Sequence, residues 1–104
     1  MFKDYLPDLY AEVHASLVAD GLDKFARQLN KLKIKTCESF ASDDSAFTIA
    51  FTSADGENIE DSFPTGDKVY TVMLVYSSNE VVIGLDIIGC ENTKLQKQLL
   101  ASCI

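Results

Sequence analysis

The chain has 104 residues, 47% of them apolar and 24% charged, which is the balance of one globular domain and not of a disordered segment. Its net charge of −7 repels phosphate and argues against a direct nucleic-acid binder. Its apolar runs, such as Val81–Leu85, fall far short of the about 20 residues that a membrane helix needs.

The chain opens MFKDYLPDLY, with charge and a proline where a secretory leader needs an apolar stretch. Its last four residues, ASCI, have no cysteine at the fourth position from the end, where prenylation requires one, so a soluble, cytoplasmic protein is expected. Tyr5–Asp20 predicts a first helix. Leu6, Leu9, Tyr10, Val13 and Leu17 form a helical stripe, Pro7 suits the first turn, and Gly21 suits a left-handed stop. Leu22–Lys33 predicts a second helix, with Asp23 early and Lys31 and Lys33 late, as the helix dipole favours. Together they make a helical hairpin.

The period then changes. Ile34–Phe40 predicts a strand, and Ala46–Thr52 a second with Phe47, Ile49 and Phe51 on one face. Ser42–Ser45 between them has turn chemistry. Asp55–Gly56 predicts another turn, and Ser62–Asp67, with Pro64 and Gly66, a loop. Val69–Tyr76 is apolar on both faces, the mark of a central strand, and a three-residue turn at Ser77–Asn79 joins it to Glu80–Ile88. Asn92 or Thr93 then caps a last helix, with Thr93 and Gln96 in a capping-box pattern and Leu95, Leu99 and Cys103 along one side. The expected fold is a single α+β domain, residues 1–104. It has an antiparallel four-stranded meander with the helical hairpin and the C-terminal helix packed on one face, in the order α-α-β-β-β-β-α.

The quoted stretches LPDLYAEVHASLVADG, KIKTCESFASDDSAFTIAFTSADG, VYTVMLVYSSNEVVIGLDII and ENTKLQKQLL resemble a small family of uncharacterised bacterial proteins. In that family an amphipathic leucine-rich start precedes a cysteine-bearing turn, a strand, a hairpin and a short helix. The resemblance covers most of the chain and implies a fold, with no established activity. The family's turn holds several cysteines around an acidic centre. Here only Cys37 remains, and Ser39 and Ser45 stand where thiols are expected.

Charge is distributed unevenly. Residues 36–67 hold Glu38, Asp43, Asp44, Asp55, Glu57, Glu60, Asp61 and Asp67 and no Lys or Arg, while the flanking segments nearly balance. Such a segment is either merely solvated or attracts a basic protein surface. Cys37, Cys90 and Cys103 form no CxxC pair and read as free thiols in a reducing cytoplasm. Cys37 with His14 is the single thiol–imidazole pairing available for nucleophilic chemistry, and its spacing carries no signal. One histidine and scattered cysteines supply no zinc set, the acidic turns miss the calcium-loop pattern, and no metal or cofactor is expected. Asp86 lies in an apolar strand, on the face of Val82, Gly84 and Ile88. If buried it must be paired or shift its pKa; otherwise that face is the solvent side or lies at an edge.

One helical layer cannot cover both faces of the sheet, so the row Tyr70, Val72, Leu74 and Tyr76 is expected to form a homodimer face. The leading expectation is a small, acidic, non-enzymatic protein-binding module, immunity- or inhibitor-like, docking on a basic protein through residues 36–67. The alternative is a small enzyme or ligand carrier with His14, Cys37 and Asp86 in a pocket between helices and sheet.

Overall fold

The computed structural model describes residues 1–39, 46–65, 70–90 and 94–102. Three helices lead: α1 (Phe2–Tyr5), α2 (Pro7–Ala19) and α3 (Asp23–Leu29). Five strands follow: β1 (Ile34–Ser39), β2 (Phe47–Phe51), β3 (Ile59–Thr65), β4 (Thr71–Ser77) and β5 (Val82–Ile88). Helix α4 (Lys94–Ser102) closes the order.

The helix expected over Tyr5–Asp20 is α2, preceded by the short α1 that the sequence reading did not foresee, and the helix expected over Leu22–Lys33 ends at Leu29. Pro7 stands at the start of α2, where its missing N–H loses no bond. After Ala19 the chain turns at Gly21 with φ +74°. The Leu22 N–H donates to the Leu17 carbonyl at 2.8 Å and the Gly21 N–H to the Val18 carbonyl at 3.1 Å. This pair of bonds satisfies the last carbonyls of α2 and requires the left-handed glycine. Ahead of α2, Phe2 is wholly buried, with its ring against Tyr10 and Phe51, and its N–H donates to the Leu32 carbonyl. Helix α1 is thereby pinned to the core by one aromatic side chain.

The sheet has five strands in the order β1-β2-β5-β4-β3, and every pairing is antiparallel. The four-stranded meander expected from the sequence is therefore wrong. A strand, β3, overlaps the loop expected at Ser62–Asp67, and β2 pairs with β5, not with its next neighbour in sequence. Pro64 is what hid it. Proline is excluded from central strands but is admissible at an edge, where one row of backbone groups has no sheet partner. The link from β2 runs through a short 3-10 turn at Thr52–Ala54 and carries the chain to the far edge, so β3, β4 and β5 return toward β2.

Pairing registers align side chains in rows across all five strands. One row is Cys37, Ile49, Leu85, Leu74 and Phe63; the next on the same face is Ser39, Phe47, Ile87, Val72 and Thr65. Most of these residues are buried, and they share one core cluster with Leu9, Val13 and Leu17 of α2, Phe25 and Leu29 of α3, and Leu95 and Leu99 of α4. The helices thus lie on one face of the sheet. Val72 and Leu74, at 1% and 0% exposure, lie beneath them. The proposed homodimer row of Tyr70, Val72, Leu74 and Tyr76 is consequently core, with Tyr70 and Tyr76 partly buried at its margins, and offers no free docking surface.

The β4–β5 hairpin is held from the helix side. The Ser77 hydroxyl accepts from the Asn79 and Val81 N–H groups, and Glu80 takes a left-handed φ of 60°. Gln28 of α3 donates to the Glu80 carbonyl and accepts from the Val82 N–H, both at 2.8 Å, and Lys24 pairs with the Glu80 carboxylate. No helix is long and apolar enough to cross a membrane among the described residues. The turn expected at Ser42–Ser45 and the cap at Asn92 or Thr93 lie outside them.

Candidate functional site

The opposite face of the sheet carries the rows Glu38, Thr48, Asp86, Met73, Pro64 and Thr36, Ala50, Gly84, Val75, Ser62. Apart from Gly84, these residues are half-buried or exposed, and none belongs to the core cluster. Asp86 stands on the central strand, flanked by Thr48 and Met73. The Thr48 hydroxyl donates to its Oδ1 at 3.2 Å. Gly84, two residues away on the same face, has its Cα so close to β2 that an added Cβ would lie 2.7 Å from the Ile49 carbonyl oxygen. Gly84 and Ala50 therefore leave a shallow floor of small residues beside Asp86. Ile88, 48% exposed, lies beyond it. The result is a face of mixed small, polar and apolar residues with one half-solvated carboxylate at its centre and a second, Glu38, at its rim. Such a face can receive a basic side chain on Asp86 while its apolar ground is covered.

The candidate pocket residues are not brought together. His14 lies on α2 with its ring 5.5 Å from that of Tyr10. Cys37 is 8% exposed on the helix-facing side of β1, and Asp86 lies on the other side of the sheet. Cys37 is also disulfide-bonded, which corrects the reading of three free thiols and removes the thiolate that a Cys37–His14 pair would need. The half-buried placement of Asp86 answers the question its apolar strand posed: it sits on the solvent face with a hydroxyl partner. Val82, assigned to that face by simple alternation, is core, because the register shifts between Val75 and Tyr76.

The acidic segment does not form one surface. Glu38 lies on edge strand β1, whereas Glu60 and Asp61 lie on the opposite edge, β3, roughly 19 Å away at the usual strand spacing. Asp55 pairs with Lys35 at 2.5 Å, Glu57 accepts from Asn79 Nδ2 at 3.0 Å, and Asp61 accepts from the Ser62 N–H. Asp43, Asp44 and Asp67 lie outside the described residues.

Two open grooves lie among the described residues. One, of about 530 Å³, follows β1 from Ile34 to Glu38 and is bounded by Tyr5 and Ala101. The other, of about 920 Å³, runs along Ala11, Ala15 and Ala19 of α2 and is walled by Tyr70, Lys94 and Leu95. At its wall the Tyr70 hydroxyl donates to Glu12 Oε2 at 2.7 Å. Burial, followed by this bond to a carboxylate, pushes the phenol's pKa well above its ordinary value. Sequence reasoning missed this pair. The available signal was Glu12 itself, an acid three residues after Leu9 and next to Val13, at the margin of an apolar stripe. Neither groove is lined by His14 or Asp86. No group of three His, Cys, Asp or Glu side chains able to hold a metal exists among the described residues. No family model, curated protein or solved structure matches the chain.

Proposed function

We propose that the chain is a non-enzymatic protein-binding module whose working surface is the helix-free face of the sheet. The observation that carries this reading is Asp86, a half-buried carboxylate at the centre of the helix-free sheet face, with the apolar side chains of Met73, Val75, Ala50 and Ile88 on the same face. Apolar ground supplies the area that association needs, and a lone central charge supplies selectivity for a partner with a basic side chain at the matching point. The partner is therefore a basic protein surface, and a small inhibitor or immunity-type protein is the concrete form of the reading.

A second copy of the chain fits this face poorly. Stacking two such faces sets Asp86 and Glu38 against their own counterparts, and like charges brought together in an interface oppose association. The rival reading, a pocket enzyme, finds little support: His14, Cys37 and Asp86 are dispersed and Cys37 is oxidised.

The test is affinity capture from a lysate followed by a comparison of variants on the captured protein. Asp86→Lys is expected to abolish capture, and Met73→Glu to weaken it strongly. The pair Glu60→Gln, Asp61→Asn, on the distant edge, is expected to leave it unchanged. Equal capture by wild type and Asp86→Lys would remove the proposed surface, and loss with the β3 pair would move the site to that edge.

A further inference from the structure

The two edges of the sheet, β1 and β3, are not alike. The β3 edge is blunted. Pro64 brings no N–H, the pairing shifts between Ile59 and Asp61, and the Ser62 N–H donates to the Asp61 carboxylate at 2.8 Å. On β1 the one irregularity lies at the start, between Ile34 and Thr36, where Lys35 is the extra residue and pairs with Asp55. From Thr36 to Ser39 the strand runs in unbroken register with Ala50 to Phe47. Thr36, Glu38 and Ser39 make no hydrogen bond or ion pair beyond that ladder among the described residues. Alternate residues of an edge strand turn their N–H and C=O away from the sheet, so this regular stretch keeps backbone groups for another strand.

A strand laid along β1 meets two chemically different sides. On the helix-free side it continues the row of Glu38, Thr48 and Asp86. Its residue opposite Glu38 comes within about 5 Å of it, Cβ to Cβ. Glu38 is exposed and carries a charge that no described residue pairs, so a lysine or arginine suits that position. On the helix side lies the groove of about 530 Å³, with Ile34 of β1, Tyr5 of α1 and Ala101 of α4 in its lining. Tyr5 is 66% exposed there, and an apolar side chain suits it. We infer that β1 is a docking strand, which adds an extended segment of the protein partner to the sheet. That segment alternates basic residues on the Glu38 side with apolar residues on the groove side. The inference rests on the reading of the chain as a protein-binding module and gives the partner a form, a basic-apolar strand. A second copy of β1 does not supply one, because Thr36–Ser39 contains no Lys or Arg.

The probe is a short capped peptide of alternating lysine and valine, titrated into the isotope-labelled chain. Amide shifts in the NMR spectrum are expected to concentrate on Thr36–Ser39. Two N-methylated versions of the peptide, one at the lysines and one at the valines, keep the charge and the side chains. The version that blocks the donors facing β1 is expected to bind about tenfold more weakly than the other. Glu38→Lys is expected to cost about tenfold in affinity, since it replaces an opposite charge by a like one across the new strand pair. Glu60→Gln with Asp61→Asn removes two charges from the far edge. At about 0.1 M salt that edge lies beyond the Debye length of about 10 Å, and the pair is expected to change affinity by less than about twofold. Shifts spread over the acidic residues at large, equal binding of the two methylated peptides, or an unchanged spectrum at millimolar peptide would each overturn the inference. So would a dimer of the chain that the peptide dissociates in light scattering, which gives β1 to a second copy. Capture through Asp86 is a separate measurement. Its loss leaves a β1 that binds the peptide standing, and its success does not rescue a β1 that ignores the peptide.

Discussion

At the scale of single residues, the pair Tyr70 and Glu12 links burial to pH. The phenol of Tyr70 donates to Glu12, and burial together with that carboxylate raises its pKa above the ordinary value of 10.0. A raised pKa means that the folded chain holds this proton more tightly than the unfolded chain. The corresponding stability is complete below pH 10 and is lost as pH climbs beyond it. Removing the hydroxyl leaves Glu12 without this donor, and its other oxygen, Oε1, is already buried with no hydrogen-bond partner among the described residues. Tyr70→Phe is therefore expected to destabilise the fold by about 1–3 kcal/mol in urea unfolding at neutral pH. The variant should also lose less stability than the wild type between about pH 8 and about pH 11. Parallel losses in the two proteins would show that the hydrogen bond does not control the titration. Gly84 makes a different demand, for space. A methyl group there meets the Ile49 carbonyl at 2.7 Å, a backbone atom that moves only if β2 moves. Gly84→Ala is expected to lower stability by about 1–3 kcal/mol, the usual penalty of overpacking. An unchanged urea midpoint would mean that the two strands can separate freely. Composition showed a glycine in an apolar run; the reason for it became visible only once β2 was placed beside β5.

At the scale of elements, sequence periodicity succeeded where one face is fully buried and failed where burial is slight. Helix α2 shows its stripe of Leu9, Val13 and Leu17, and β2 its alternation of Phe47, Ile49 and Phe51, because each has a single buried side. The hairpin of β4 and β5 was legible from its short turn. Strand β3 was not: most of its residues are solvent-facing, its pairing is irregular between Ile59 and Asp61, and Pro64 reads as loop. These same features blunt an edge that would otherwise be free to pair with another chain. Replacing them together, Asp61→Val with Pro64→Val, is expected to promote concentration-dependent self-association in light scattering, with little loss of secondary structure by circular dichroism. A variant that stays monodisperse would show that β3 needs no such protection. Contacts between elements were equally hidden. Nothing in the spacing of Gln28 announces that it bonds to both sides of the β4–β5 turn. Gln28→Ala leaves the part-buried Val82 N–H without an acceptor and is expected to cost about 1–3 kcal/mol, read from the denaturant midpoint. A change within error would assign the turn's stability to Ser77 alone.

At the scale of the whole molecule, charge and topology have to be considered together. The sequence concentrates its net charge in residues 36–67, which invites the picture of one acidic docking face. The strand order dismantles that picture, because the segment begins on β1 and crosses to β3, the two opposite edges. What the sequence could not display is that Glu38 and Asp86, far apart along the chain, fall in one row on the helix-free face. The apolar excess read as a dimer row resolves in the same way: Val72 and Leu74 are consumed by the helices, and the remaining apolar ground carries carboxylates that oppose a second copy. The chain alone is accordingly expected to run as a monomer of 11.5 kDa in gel filtration with light scattering. The assignment to charge can be checked with the same instrument. At about 1 M salt the Debye length shrinks to about 3 Å, and the repulsion between stacked faces fades. If Asp86 and Glu38 are what keep two copies apart, the double variant Asp86→Asn, Glu38→Gln should show greater self-association than the wild type at low salt, and the difference should vanish at high salt. A dimer of the wild-type chain at low salt would contradict the electrostatic argument. It would also return the helix-free face to self-assembly as its first role.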